Sequence, residues 1–191
     1  MVIFIAGYSH TGKTALAQKL LEKYRFPYLS ADHLKMGLIR SGYTDLKPED
    51  DQELMSYLWP IIREIVKTVI ENRQNLVVEG CYIPFGWKND FSNFYLKQIR
   101  YYCLIMTEDY IQKKICDIRK YADIIEHRLD SSVNAEAMIR ENAENLRRCK
   151  SYGYSYILID KDYPADVDLD IQLQKKSCIS EIGVIRKGDT E

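Results

Sequence analysis

The chain has 191 residues, 46% of them hydrophobic and 29% charged, the balance of an ordinary globular protein with length for one substantial core. Lys and Arg number 27 against 28 Asp and Glu, a formal net charge of −1. There is thus no overall basic field to grip a nucleic-acid backbone, and the composition also excludes disorder over most of the length.

In chain order, Val2–Ala6 is short, apolar and partly β-branched, which predicts a strand covered on both faces. A glycine-containing turn follows, and then a helix from Lys13 to Tyr24, in which Ala15, Leu16, Leu20 and Leu21 recur at helical spacing. Phe26–Ser30 reads as a second strand and Asp32–Arg40 as a short helix opened by an acid. A polar loop holds Gly42, Thr44 and Asp45. Pro48-Glu49-Asp50-Asp51 has the form of a helix start, proline first and then acids against the positive end of the dipole. Leu54, Leu58, Ile61, Ile62, Ile65 and Val69 carry an apolar stripe onward, and Pro60 predicts a kink or break in it. Leu76-Val77-Val78 is a third strand ended by Glu79-Gly80, Tyr101–Met106 a fourth and Tyr156–Ile159 a fifth. Charged helices over Glu108–Lys120 and Val133–Lys150 separate the later strands. Strands alternating with helices predict an α/β fold with a parallel sheet and helices on both faces. One domain over 1–176 is expected, with a tail at 177–191 in which Ser180–Glu191 reads as an extra strand or a loose end.

The five cysteines, Cys81, Cys103, Cys116, Cys149 and Cys178, are scattered, with neither C-x-x-C nor zinc-ligand spacing, which reads as free thiols in a reducing compartment. The apolar runs fall far short of the roughly 20 residues of a membrane span. Met1 runs directly into an apolar stretch, unlike a secretory signal. The expectation is a cytoplasmic protein without a membrane partner, a monomer or a homodimer.

The strongest chemical signal is Gly7-Tyr8-Ser9-His10-Thr11-Gly12-Lys13-Thr14, which fits G-x-x-x-x-G-K-[ST] at every fixed position, with a strand before it and a helix after it. Gly7 and Gly12 let backbone approach phosphate oxygens where a Cβ would intrude. The loop amides and the helix N-terminus, through Ala15, present partial positive charge to a nucleoside triphosphate. Lys13 is placed to neutralise the β- and γ-phosphates and Thr14 to ligate Mg²⁺. His10 reads either as a phosphate contact or as a passive loop side chain.

Two acids stand at strand ends, where ligands gather in an open α/β sheet. Asp32, just past the second strand, suits a group that orients an acceptor hydroxyl or takes its proton, with helix N-capping as the alternative. Glu79, ending the third strand, suits the office of holding a Mg²⁺-bound water, with an ordinary solvated acid as the alternative. Neither an Asp-x-x-Gly switch nor an Asn-Lys-x-Asp signature is present, which argues against a GTPase. Between the fourth and fifth strands, Ile118–Arg128 reads as a lid whose Arg119 and Arg128 are candidates to stabilise the transferring phosphoryl group. The alternative is a solvated helix in which Asp123, Glu126 and Asp130 pair with these bases. Further on, Glu136–Arg140 and Glu144–Arg148 are spaced as i,i+4 pairs, and Arg140 is a weaker candidate to point toward substrate. Trp59 and Trp87 read as core or pocket wall, the Tyr152–Tyr156 cluster reads as packing around the fifth strand with stacking on a base or sugar as the alternative, and Tyr82–Trp87 could line an acceptor pocket.

The order Gly7–Thr14, Leu29-Ser30-Ala31-Asp32, Val78-Glu79-Gly80, an arginine-bearing lid and Ile157-Leu158-Ile159-Asp160 resembles the small P-loop kinases of the adenylate-kinase-like group. Ser30–Lys35 with Val78–Tyr82 is most similar to the 2-phosphoglycerate-kinase-like and zeta-toxin-like branches. The resemblance spans roughly residues 1–160. It implies a P-loop three-layer α/β/α fold with a mostly parallel five-stranded sheet and a small helical lid at about 119–132. It also implies ATP and Mg²⁺ as cosubstrates, with Asp32 contacting or deprotonating the acceptor. Glu79-Gly80-Cys81-Tyr82-Ile83-Pro84 lacks the arginine that nucleoside monophosphate kinases carry there, which favours a small hydroxylated metabolite or sugar derivative over a nucleotide acceptor. The leading expectation is therefore an ATP-dependent small-molecule kinase. The alternatives are a nucleoside or nucleotide kinase, a polynucleotide 5′-end kinase, which would want a basic channel, and a non-catalytic nucleotide-binding regulatory module.

Overall fold

Every residue of β1 (Val2–Gly7) is buried, because the strand lies at the middle of the sheet with a hydrophobic layer on each side. The computed structural model describes residues 1–121 and 133–163. After β1 come α1 (Lys13–Tyr24), β2 (Tyr28–Ser30), α2 (Ala31–Arg40), α3 (Asp51–Glu71), β3 (Leu76–Glu79), the short α4 (Asn93–Leu96), β4 (Ile99–Met106), α5 (Glu108–Tyr121), α6 (Ala135–Tyr152) and β5 (Tyr156–Ile159). The five strands run in the order β2-β3-β1-β4-β5 and every pairing is parallel. This is a three-layer α/β/α architecture around an all-parallel sheet.

Alternation along β1 divides the core. Val2, Phe4 and Ala6 face a layer built by Leu54, Leu58, Ile62 and Val66 of α3 with Trp87 and Phe91. Ile3 and Ile5 face a layer built by Leu16 and Leu20 of α1 and Ile111 and Ile118 of α5. Helix α6 contributes Met138 to the second layer and Cys149 to the first. Its buried Asn142 accepts from the Met106 amide at 2.9 Å and donates to the Met138 carbonyl at 2.8 Å, which ties the helix to the end of β4.

Three local expectations are corrected. Helix α3 is not broken at Pro60: Pro60 and Ser56, whose carbonyl it releases, are both exposed, so water can take the freed acceptor while the buried stripe holds the helix together. Helix α3 begins at Asp51, which leaves Pro48 in the preceding loop. Strand β2 is shorter than its apolar run, because Phe26 is core while Pro27 supplies only its carbonyl, to the Val77 amide at 2.9 Å.

Candidate active site

The strand order decides which side chains meet. In the parallel register Ile5 pairs with Glu79 and Ser30 also pairs with Glu79, so β3 and β2 end level with Ile5, two residues before the end of β1, and the three strands deliver their loops to one end of the sheet. Gly7–Thr14 leaves β1, Asp32 follows β2, and Glu79 closes β3.

The loop after β1 is braced from within. Thr11 is fully buried and its hydroxyl donates to the Tyr8 carbonyl at 2.9 Å, and Lys13 Nζ donates to the same carbonyl at 2.8 Å. His10 takes a left-handed backbone (φ 62°), a turn conformation an L-residue adopts at modest cost. At Gly12 (φ 84°) an added Cβ would stand 2.5 Å from the Tyr163 ring, so glycine is required there for both reasons. The Tyr163 hydroxyl donates to the Gly12 carbonyl at 2.6 Å, and Lys19 Nζ sits 5.3 Å from the centre of its ring. The residue four beyond β5 thus clasps the start of α1.

Lys13 is only 5% exposed. Burial alone would pull its ammonium down, but Cys81, Glu79 and Asp32 around it and a hydrogen bond with Cys81 more than offset this and leave its pKa raised. It therefore carries a full positive charge at neutral pH. Glu79 is completely buried and its Oε1 accepts from the Thr14 hydroxyl at 3.2 Å. A hydroxyl beside a buried carboxylate is a hard-oxygen pair that fits Mg²⁺, which takes few protein ligands and completes its shell with water and phosphate. Among the described residues there is no group of three or more His, Cys, Asp or Glu that could hold a metal unaided.

Asp32 lies in the first turn of α2, whose N-cap is Ser30, so the capping alternative does not hold for it. Its Oδ1 pairs with Lys35 Nζ at 3.2 Å, with side chains 16% and 12% exposed respectively. Lys35 Nζ also donates to the Tyr82 hydroxyl at 2.8 Å, which in turn donates to Asp51 Oδ1 at 2.8 Å. Burial first, then the bond to Asp51 and the charges of Asp51 and Asp32, push the Tyr82 phenol well above its ordinary range. It stays neutral and a donor. At Gly80 (φ 153°) a Cβ would come 2.6 Å from Ala31 Cβ, so the backbone after β3 lies directly against the start of α2.

Burial raises the Tyr8 phenol, helped by the charges of Glu141, Cys81 and Asp51 and opposed by Arg140. Arg140 pairs with neighbouring Glu141 at 3.3 Å instead of Glu136. Arg147 takes Glu144 at 2.6 Å, and Arg148 lies 4.1 Å from the centre of the Phe85 ring. Arg119 lies in the last turn of α5 and donates to the Val133 carbonyl at 3.3 Å; Arg128 lies outside the described residues, as do most of the lid segment and the whole of the tail. Of the Tyr82–Trp87 stretch, Tyr82 joins the site. Trp87 lies in the core and lines a cleft of about 370 Å³ with Tyr101 and Tyr154, near the first residues of β4 and β5 and away from the loop.

The sequence reading missed Lys35, Asp51 and Tyr163. Lys35 had a local signal, its i,i+3 spacing from Asp32. Asp51 and Tyr163 had none, because their roles arise from partners 31 and 151 positions away.

No family model and no curated protein matches the chain. Among solved structures it is similar to a protein described as a kinase from Chloroflexus aurantiacus J-10-fl, at 19% identity over 88% of this chain and 92% of that one, with a TM-score of 0.53. It is also similar to deoxyadenosine kinase from M. mycoides bound to dCMP and a flexible dCDP, at 15% identity over 87% and 92% of the two chains, with a TM-score of 0.51. At these identities the likeness is one of fold. Among the described residues no helix is long and apolar enough to cross a membrane.

Proposed function

We propose that the protein is an ATP-dependent phosphotransferase acting on a hydroxyl of a small metabolite or sugar derivative. One observation carries the reading: Glu79 Oε1 accepts from Thr14, in the first turn after the loop, at 3.2 Å and stands level with Ser30, two residues before Asp32, which supports the triphosphate cradle, the metal-side acid and the candidate base sharing one end of the sheet. A nucleotide-binding regulatory module has no need of an acid pair facing its cradle.

The loop amides and Lys13 hold the triphosphate with its terminal phosphorus toward α2. Thr14 and Glu79 would hold Mg²⁺, which supplies charge neutralisation on the phosphate oxygens. As the acceptor oxygen bonds to the γ-phosphorus and the bond to ADP breaks, the acceptor proton passes to Asp32. Arg119 and Arg128 remain the proposed lid arginines.

The test is ADP formation across a panel of sugars, polyols, nucleosides and nucleotides. Lys13→Ala abolishes turnover, and Asp32→Asn retains ATP affinity and loses transfer. Transfer at the normal rate by Asp32→Asn removes the base assignment, and failure of Mg-ATP to bind saturably removes the reading altogether.

A further inference from the structure

The Gly12–Lys13 peptide joins the phosphate loop to α1. A trans peptide points its carbonyl and its amide in opposite directions. The Gly12 carbonyl accepts the first helical bond of α1, from the Leu16 amide at 3.0 Å, so the Lys13 amide faces back out of the helix start, among the N-terminal amides that have no acceptor within a helix. Gly12 begins the helix in a left-handed conformation (φ 84°, ψ 20°) and has no side chain to hold that end. The holding group comes from a distant stretch of chain. The Tyr163 hydroxyl, just beyond the edge strand β5, is a second donor on the Gly12 carbonyl, at 2.6 Å. Its ring is fixed on both sides: it fills the space where a Gly12 Cβ would stand 2.5 Å away, and the Lys19 ammonium of α1 lies 5.3 Å from its centre. Burial raises the phenol above its ordinary range, so the hydroxyl keeps its proton and donates at neutral pH.

We propose that Tyr163 is a positioning residue for the phosphate chain of the nucleotide: by holding the Gly12 carbonyl it fixes the tilt of the Gly12–Lys13 peptide and aims the Lys13 amide at a phosphate oxygen. This rests on the nucleotide-binding part of the phosphotransferase reading above. A peptide whose carbonyl can swing spreads its amide over a range of directions, and a phosphate bound there must first arrest that motion. With two donors on the carbonyl, the amide is aimed before the ligand arrives. The same bond polarises the peptide, because hydrogen bonds at the two ends of one amide unit strengthen each other, and the amide becomes a better donor to an anion. The backbone of such a loop holds the inner phosphates, which ATP and ADP share. The contribution is therefore to binding, is equal for both nucleotides, and leaves the transfer step and the acceptor alone.

The experiment is calorimetric titration with inorganic tripolyphosphate, ADP and ATP, each with Mg²⁺, on the wild-type chain and two variants. Tyr163→Phe keeps the ring against Gly12 and removes the one hydroxyl. Its Kd is expected to rise about three- to tenfold for all three ligands, the worth of one hydrogen bond, with ATP KM rising in step and kcat and acceptor KM within twofold. Ile70→Val trims the core in the last turn of α3, just before β3 begins and so at the end of the sheet away from the loop. It destabilises the fold by a comparable amount and is expected to leave all three Kd values within twofold, a split that general loosening of the chain would not produce. The Lys13 amide proton reports the contact directly: saturating tripolyphosphate is expected to move it downfield in the wild type and by clearly less in Tyr163→Phe. A Tyr163→Phe variant whose tripolyphosphate Kd stays within threefold of wild type overturns the proposal, as does an equal loss in Ile70→Val. So does a loss seen with ATP but absent with tripolyphosphate, which would put Tyr163 at the sugar or the base. Absence of saturable binding by the wild-type chain overturns both the proposal and the nucleotide reading beneath it.

Discussion

The Thr14 hydroxyl donates to Glu79 Oε1 at 3.2 Å, a contact between the first turn of α1 and the last residue of β3. It exists because β3 lies beside β1 with Ile5 level with Glu79. The pair stands where Mg²⁺ carried with a triphosphate would need hard oxygen ligands. Glu79→Gln keeps the shape and the hydrogen-bonding capacity but removes the charge. The expected result is a loss of turnover on the order of 100-fold, with nucleotide affinity unchanged in EDTA and its enhancement by Mg²⁺ lost. Calorimetric titration of ATP with and without Mg²⁺ reads this directly; an undiminished Mg²⁺ effect would remove Glu79 from the metal side of the site.

Gly80 and Gly37 make a matched pair. A Cβ at Gly80 would stand 2.6 Å from Ala31 Cβ on a backbone of positive φ, whereas one at Gly37, inside α2, meets nothing within 4 Å. Gly80→Ala is expected to cost about 1–3 kcal/mol and to displace the start of α2, so that Asp32 loses its aim and transfer falls more than ATP affinity. Gly37→Ala is expected to stabilise by about 0.5–1 kcal/mol. Urea denaturation of both variants checks the opposite signs.

Asn142 is 1% exposed and both ends of its amide are used, on Met106 and Met138. Asn142→Ala leaves the buried Met106 amide without its acceptor. The expected cost is about 1–3 kcal/mol, seen as a lower denaturation midpoint at unchanged m-value.

Tyr163 gives a pH signature. Burial raises its phenol above the ordinary 10.0, so the folded chain keeps a proton that the unfolded chain has already released. Its contribution to stability is complete below about pH 10 and is lost as pH rises toward the folded value. Tyr163→Phe removes this component together with the bond to Gly12, worth about 0.5–1.5 kcal/mol. Between about pH 9 and about pH 11 the wild-type Tm is expected to fall more steeply than that of the variant. Parallel Tm curves would place the alkaline sensitivity elsewhere.

What was legible in the sequence was whatever is local. The cradle is eight consecutive residues, and β1 and α1 announce themselves by period. Asp32 and Glu79 could be placed because each closes a strand within a few residues of a recognisable apolar run. Asp51 sits in a string of acids that reads as a helix start, and only the fold shows that one of them receives Tyr82. Tyr163 is a tyrosine among 15, and its clasp on Gly12 depends on where β5 ends in space. Pro60 does not break the helix because the cost of proline depends on whether the carbonyl it frees can reach water, and Pro60 and Ser56 both lie off the apolar stripe on the exposed side of α3.

The placement of β3 between β1 and β2 has an evolutionary corollary. Residues 28–71, which hold β2, α2 and α3, form one uninterrupted block at an edge of the sheet, joined to the rest along the β2–β3 ladder and the inner stripe of α3. The cradle, its clasp and the far strands belong to other stretches of chain. On the phosphotransferase reading, a lineage or a protein engineer building chimaeras could exchange that block to change the recipient molecule, provided the new block keeps the inner stripe that packs on β1.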